Sequence, residues 1–243
     1  MTGPAAGDAI RAERMDAASR TSRVLAHEIA NYLGSVRTYL YLLREEMGTD
    51  PKAAEDLETV SRTVESAATL VAALRGFAHA PALGAGPADL GRVLHDAGPT
   101  LRALMPAGKT LELAVAAEPL PVAADAARLA QLVVDLVDAA NRALPVGGCV
   151  RVSAAREAGG PRGAAVALLA VRDDGPGLDP ERAAHIFEPF VFDLAHDQGL
   201  RLPTLYNTVT RSGAAITAES APGAGTTIRV AFPLAPAGKA AAR

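Results

Sequence analysis

The chain has 243 residues, 49% of them apolar, with 24 basic against 27 acidic side chains and a net charge of -3. That length holds one large domain or two small ones, and the near-balanced charge, without a long block of either sign, argues against a nucleic-acid or lipid surface. The single cysteine, Cys149, excludes an internal disulfide or a CxxC-type metal cluster. No apolar run reaches the roughly 18 residues of a membrane span, the opening MTGPAAGDAIRAERMD lacks the apolar core of a signal peptide, and a cytoplasmic location with no membrane partner is expected.

From Asp8 to about Met47 no proline occurs and Gly34 is the only glycine, so one long helix is expected. Ile29, Leu33, Val36, Leu40, Leu43 and Met47 recur at alternating steps of four and three, the seam of a coiled coil or bundle. "GTDP" breaks this helix, with Asp50 placed to cap a second one and Pro51 in its first turn. The second helix carries Leu57, Val60, Val64, Ala67, Val71, Leu74 and Phe77 at similar spacing. Two helices cannot enclose such seams, so two hairpins are expected to pair as a homodimeric four-helix bundle. The Gly-, Pro- and Ala-rich stretch Gly76 to Gly91 reads as a linker between a hairpin domain, residues 8–80, and a second domain, residues 87–236.

In the second domain the pattern predicts a helix near Leu90 to Leu104, a strand at KTLELAVA and a strong helix from Asp125 to Leu144. Strands follow at CVRVSAAR and AAVALLAVRD, then a short helical piece at ERAAHIF, a helix at LPTLYNTVTRS and closing strands at AAITAES and TTIRVAFPL. Hairpin-joined strands with helices between others indicate an α+β class, a two-layer sandwich.

At about 100° per residue, His27, Asn31, Gly34 and Thr38 fall on one arc of the first helix, nearly opposite its apolar seam. His27 is therefore expected in solvent, within reach of a partner. A lone exposed histidine is commonly an ordinary surface residue; here Glu28 can accept a proton beside the ring, Asn31 stands one turn on, and neutral imidazole is a nucleophile near pH 7.

His-Glu-x-x-Asn-x-Leu on the first helix of a hairpin, followed by an α+β domain, resembles the core of bacterial two-component sensor histidine kinases. The resemblance implies that His27 is the phosphoacceptor, Glu28 its base and Asn31 the support for phosphatase attack on a response regulator. Tyr32 stands where many members have proline. VRDDGPGLDPE followed by IFEPF resembles that family's ATP-binding module, which implies that Asp173 receives an adenine amino group while Gly175 and Gly177 let the backbone approach nucleotide.

Two other family motifs are altered. In the segment QLVVDLVDAANRA, Asp135 takes the place of the first asparagine and Ala139 that of the second, the magnesium ligand; a methyl group cannot coordinate a hard cation. Asn141 lies about 200° round the helix from that position. The glycine-rich phosphate lid reads DQGLRLP, with Asp197 and Arg201 at two glycine positions, and VFDLAHD replaces its polar stretch. In layout the chain is closest to ChpT-type histidine phosphotransferases with a degenerate ATPase domain. That implies a phosphorelay protein carrying a phosphoryl group on His27 between receiver aspartates, with response-regulator receiver domains as partners, no cofactor and no metal site of its own. Two alternatives remain open: an active cytoplasmic kinase that phosphorylates His27 from Mg-ATP, and a non-catalytic dimeric scaffold.

Overall fold

The stretch that precedes GTDP gives α1, Pro4–Glu46, a 43-residue helix about 65 Å long at 1.5 Å per residue. The structure, a computed structural model, describes residues 4–46, 51–158, 164–190 and 198–235. The predicted cap at Asp50 and the seam residue Met47 lie outside them. Helix α2, Pro51–Ala78, packs on α1. The register is antiparallel, with Arg37 Nε 3.2 Å from Glu65 and Arg23 donating to the Ala78 carbonyl at 3.4 Å.

The chain divides into two compact units, residues 1–80 with 192–204, and residues 81–191 with 205–243. In the first, the buried positions of α1 are Met15, Ser19, Ser22 and Ala26, with Val64, Val71 and Phe77 buried on α2. The single seam read from the sequence is in fact split. Leu33 and Leu40 are half-buried, whereas Ile29, Val36 and Leu43 stand 40–43% exposed beside Leu25, Tyr32 and Tyr39. The run of apolar residues is wide enough to serve one neighbour along one edge and leave the other edge in solvent.

The second unit begins with β1, Pro87–Asp89, α3, Leu90–Ala103, β2, Thr110–Val115, and β3, Pro121–Ala123. It continues with α4, Ala126–Ala143, β4, Cys149–Ala158, β5, Ala165–Asp173, and α5, Pro180–Ala184. Helix α6, Gln198–Arg211, whose residues 198–204 are grouped with the first unit, and the strands β6, Ala215–Ala221, and β7, Gly225–Pro233, are the last described elements. Five strands form one mixed sheet in the order β2-β4-β5-β7-β6, with only β2 and β4 parallel, while β1 and β3 pair apart. Alternation puts Val150, Val152 and Ala154 of β4 inward and Arg151 outward, where it meets Glu112 of β2 at 2.7 Å. The inward residues join Leu94, Leu101, Leu129, Leu136 and, on β5, Leu169 in a fully buried core. This is the two-layer α+β sandwich expected from the sequence.

Local chemistry fixes the helix starts. Asp89, Asp125 and Asp179 cap α3, α4 and α5, each accepting from the backbone N–H three residues on. The other oxygen of Asp89 accepts from Leu120 N–H at 2.8 Å, tying β1 to the approach of β3. Two departures from expectation concern short or proline-bearing pieces. The β1–β3 ribbon has three residues per strand, too few for periodicity to register. Helix α6 begins at Gln198 and not at Leu202; Pro203 within it forfeits only the bond to the Gly199 carbonyl.

Candidate functional site

The α1 residues singled out by spacing are displayed on its surface. His27, Glu28 and Asn31 are all exposed, as are Gly34 and Thr38 along the same arc, and Ala26 beside them is 0% exposed. His27 and Asn31 are four apart and so lie one turn above another on one face. Interpolating between Arg37 against Glu65 and Arg23 against Ala78 puts His27 near the level of Leu74. Both helices are ordinary α-helix there, so the imidazole stands on a rigid element.

In the second unit the sequence brings Asp173 to the end of β5. It is 4% exposed, and its Oδ1 accepts from Gly175 N–H at 2.9 Å and Thr226 N–H at 3.2 Å. Burial raises its pKa above the ordinary aspartate value, with the two amide donors acting against that rise. A buried carboxylate kept with one oxygen free of these donors is a candidate for receiving a ligand N–H.

The loop after Asp173 is clamped to the β6–β7 hairpin. Gly223 N–H donates to the Pro176 carbonyl at 2.7 Å, and Leu178 N–H to Ser220 Oγ at 2.9 Å. Gly177 has φ +67°, and a Cβ there would overlap the Ala221 carbonyl; one on Gly225, at φ +75°, would overlap the carbonyl of Asp173 itself. Sequence reasoning gave both motif glycines a role toward nucleotide and missed this hairpin contact. The clue available was the Ser and Thr flanking the turn APGAG.

The sign of the pH effect follows from the raised pKa of Asp173. Between its unfolded and folded values the folded state holds the proton more firmly, so stability is greatest below the unfolded pKa and falls as pH rises through the folded one. Asp173→Asn keeps an acceptor oxygen for both amides and removes the buried charge. The variant is expected to melt at a higher temperature than the parent at pH 7 and at no higher a temperature at pH 3, measured by circular dichroism.

Helix α4 separates the residues of the altered asparagine motif. Asp135 accepts from Gln131 Nε2 at 2.9 Å, Asp138 pairs with Arg142 at 3.1 Å, and Ala139 is half-buried beside them. Asn141 turns the other way, 8% exposed, donating to the Leu104 carbonyl at 3.2 Å, while Lys109 Nζ donates to the Asn141 carbonyl at 2.6 Å. It belongs to the core and cannot turn to the place of Ala139. In the stretch DQGLRLP, Gly199 and Leu200 are buried in the first turn of α6 and Arg201 is half-buried beside them. Asp197 and the segment VFDLAHD lie outside the described residues. Among the described residues no cluster of three or more His, Cys, Asp or Glu side chains could hold a metal ion.

Residues 124–236 match the family model described as histidine kinase-, DNA gyrase B-, and HSP90-like ATPase. The C4-dicarboxylate transport sensor protein DctB of Rhizobium meliloti (strain 1021) is 28% identical over 229 residues, covering 92% of this chain and 36% of DctB. The sensor kinase CckA of Brucella abortus (strain 2308) is 28% identical over 240 residues, covering 92% of this chain and 25% of CckA. The chain is thus similar to sensor histidine kinases over most of its length, and residues 124–236 match their ATPase model. It spans about a quarter to a third of the length of these two relatives. Among solved structures, the mycobacterial sensor histidine kinase MprB is 27% identical with a TM-score of 0.52, covering 63% of this chain and 99% of that one. Full-length ShkA in complex with AMPPNP shares the fold at a TM-score of 0.64 and 24% identity, covering 89% of this chain and 46% of ShkA. Among the described residues no helix is long and apolar enough to cross a membrane.

Proposed function

We propose that this chain is a dimeric histidine phosphotransferase of a two-component phosphorelay, with response-regulator receiver domains as its donors and acceptors. The observation that carries this reading is the contrast between an exposed His27, Glu28 and Asn31 on α1 and the methyl group of Ala139 on α4. Magnesium-bound triphosphate needs oxygen ligands and backbone amides at a loop or free helix start. Ala139 offers no oxygen ligand, and Asn141 is engaged with the Leu104 carbonyl. This loss of the magnesium-holding side chain is what supports a donor other than ATP.

In the proposed reaction a ring nitrogen of neutral His27 attacks the phosphorus of a receiver acyl phosphate. The N–P bond forms as the P–O bond to the receiver aspartate breaks, and that aspartate leaves as a carboxylate. Glu28 takes up or holds the ring proton, and Asn31 orients a phosphoryl oxygen. Return of the group to a second receiver reverses the sequence, with the receiver supplying its own magnesium. Dimerisation is supported by the exposed edge of α1, where Leu25, Ile29, Val36 and Leu43 remain 40–49% exposed.

A second reading, autophosphorylation of His27 from Mg-ATP, is favoured by one observation, the buried acceptor Asp173 with its clamped glycine loop. Incubation with radiolabelled ATP and magnesium, beside incubation with a phosphorylated receiver, separates the two. Label is expected on this chain from the receiver and not from ATP. Label from ATP that disappears with His27→Gln overturns the phosphotransferase reading.

A further inference from the structure

Phosphoryl transfer to His27 places an anionic group on the surface of α1, and the reaction proposed above gives it no cation from this chain. A groove of about 420 Å³ runs along one side of the α1–α2 hairpin, floored by Ala30, Gly34, Ala68 and Ala72 and flanked by Arg37 and Arg75. His27 stands three residues before Ala30 and seven before Gly34, within about 20° of Gly34 around α1. Its ring therefore projects on the groove side of the hairpin. The register set by Arg37 beside Glu65 and Arg23 beside Ala78 brings Arg75 to the height of His27. Packed helices have axes about 8–10 Å apart, a gap that a long arginine side chain spans.

The two arginines of the groove differ in commitment. Arg37 Nε lies 3.2 Å from Glu65, whereas the exposed guanidinium of Arg75 has no hydrogen-bond or ion-pair partner among the described residues. Other cations near this height are engaged: Arg20 pairs with Asp16, Arg23 donates to the Ala78 carbonyl, and His79 Nδ1 lies 3.1 Å from the Arg75 carbonyl. Carboxylates are scarce here. Glu28 is the only acid of α1 between residues 17 and 44, and it stands about 100° round the helix from His27, on the side away from α2. Helix α2 carries no acid from residue 66 to its end. The vicinity of His27 thus holds an uncommitted cation with no carboxylate facing it.

We propose that Arg75 holds the phosphoryl group carried on His27, its planar N–H fork engaging two phosphoryl oxygens. The proposal rests on the phosphotransferase reading of His27. No bond to phosphorus forms or breaks at the guanidinium; it offsets the negative charge on the oxygens while the group passes between a receiver aspartate and the ring.

The test treats the full chain with phosphoramidate, a small-molecule donor that labels histidine without a partner protein. The phosphorus NMR resonance absent from His27→Gln is then titrated against pH. A cation beside the group favours its more highly charged form, so Arg75→Gln is expected to raise the midpoint of protonation by about half a pH unit. The same variant slows transfer from a phosphorylated receiver about tenfold, and Arg75→Lys, which keeps the charge without the fork, falls between it and the parent. Because the Arg75 side chain is exposed and unpaired among the described residues, melting temperatures stay within error of the parent. Arg37→Gln removes an arginine about 15 Å farther along α1 and leaves the midpoint unchanged. An unshifted midpoint in Arg75→Gln, or an equal shift in Arg37→Gln, overturns the role of Arg75 and leaves His27 as the acceptor. Label on His27 from phosphoramidate but not from a phosphorylated receiver overturns the phosphotransferase reading instead.

Discussion

Gly177→Ala is expected to unfold the second unit at a far lower urea concentration than the parent chain, with a loss of about 3 kcal/mol or more. Two costs combine. The backbone at φ +67° is in the left-handed region, and the added Cβ overlaps a main-chain carbonyl, that of Ala221, which cannot swing aside as a side-chain tip could. Gly213→Ala separates these costs. Its φ is +74°, and a Cβ there meets nothing within 4 Å, so only the conformational penalty applies, about 1 kcal/mol. Urea titrations followed by circular dichroism give both values. Equal losses at the two positions would show that the clamp between the loop and the hairpin contributes nothing.

His27→Gln is expected to reduce label acquired from a phosphorylated receiver by at least about a hundredfold, since no other group on that arc is a comparable nucleophile. The side chain is exposed and sits within a regular helix, so helix content and melting temperature should stay within error of the parent. Asn31→Ala, one turn away, should transfer more slowly while still accumulating phosphohistidine, since in the proposed reaction Asn31 orients the group and does not bond to it. Quenched-flow transfer with a single receiver reads both effects. Undiminished label in His27→Gln would place the acceptor elsewhere and remove the basis of the phosphotransferase reading.

Much of this fold was legible because long elements repeat their pattern. The strong helix α4 shows Leu129, Leu132, Val133, Leu136 and Val137 buried at helical spacing, and β4 alternates Val150, Arg151, Val152 as a half-buried strand should. The ribbon of β1 and β3 was not, because it is held by pairing between residues more than thirty positions apart and has no length in which to repeat. The division of the α1 seam was hidden for another reason. Apolar residues look alike whether they meet α2 or stand free, so spacing gives the width of a stripe but not the number of neighbours it serves.

At the candidate sites, spacing placed His27 and Asn31 on one exposed arc, and the resemblance to the kinase asparagine motif marked Ala139 as a departure. The fate of Asn141 depended on tertiary contacts. Its commitment to Leu104 rests on how α3 ends beside α4, which no local pattern encodes. The helical start of α6 was obscured by reading Gly199 as part of a phosphate lid, when burial of Gly199 and Leu200 outweighs the weak helix preference of glycine.

The amide of Thr226 donates to Asp173 from 53 positions along the chain, and Thr226 is also a rung of the β6–β7 hairpin. The aim of that carboxylate is thus set from outside its own strand. One residue inserted into the turn at 222–224 would slip the hairpin register and withdraw the amide while leaving every residue of the DDGPG sequence unchanged. In related chains, the length of that distant turn would report on the aim of this buried carboxylate as sensitively as the motif itself.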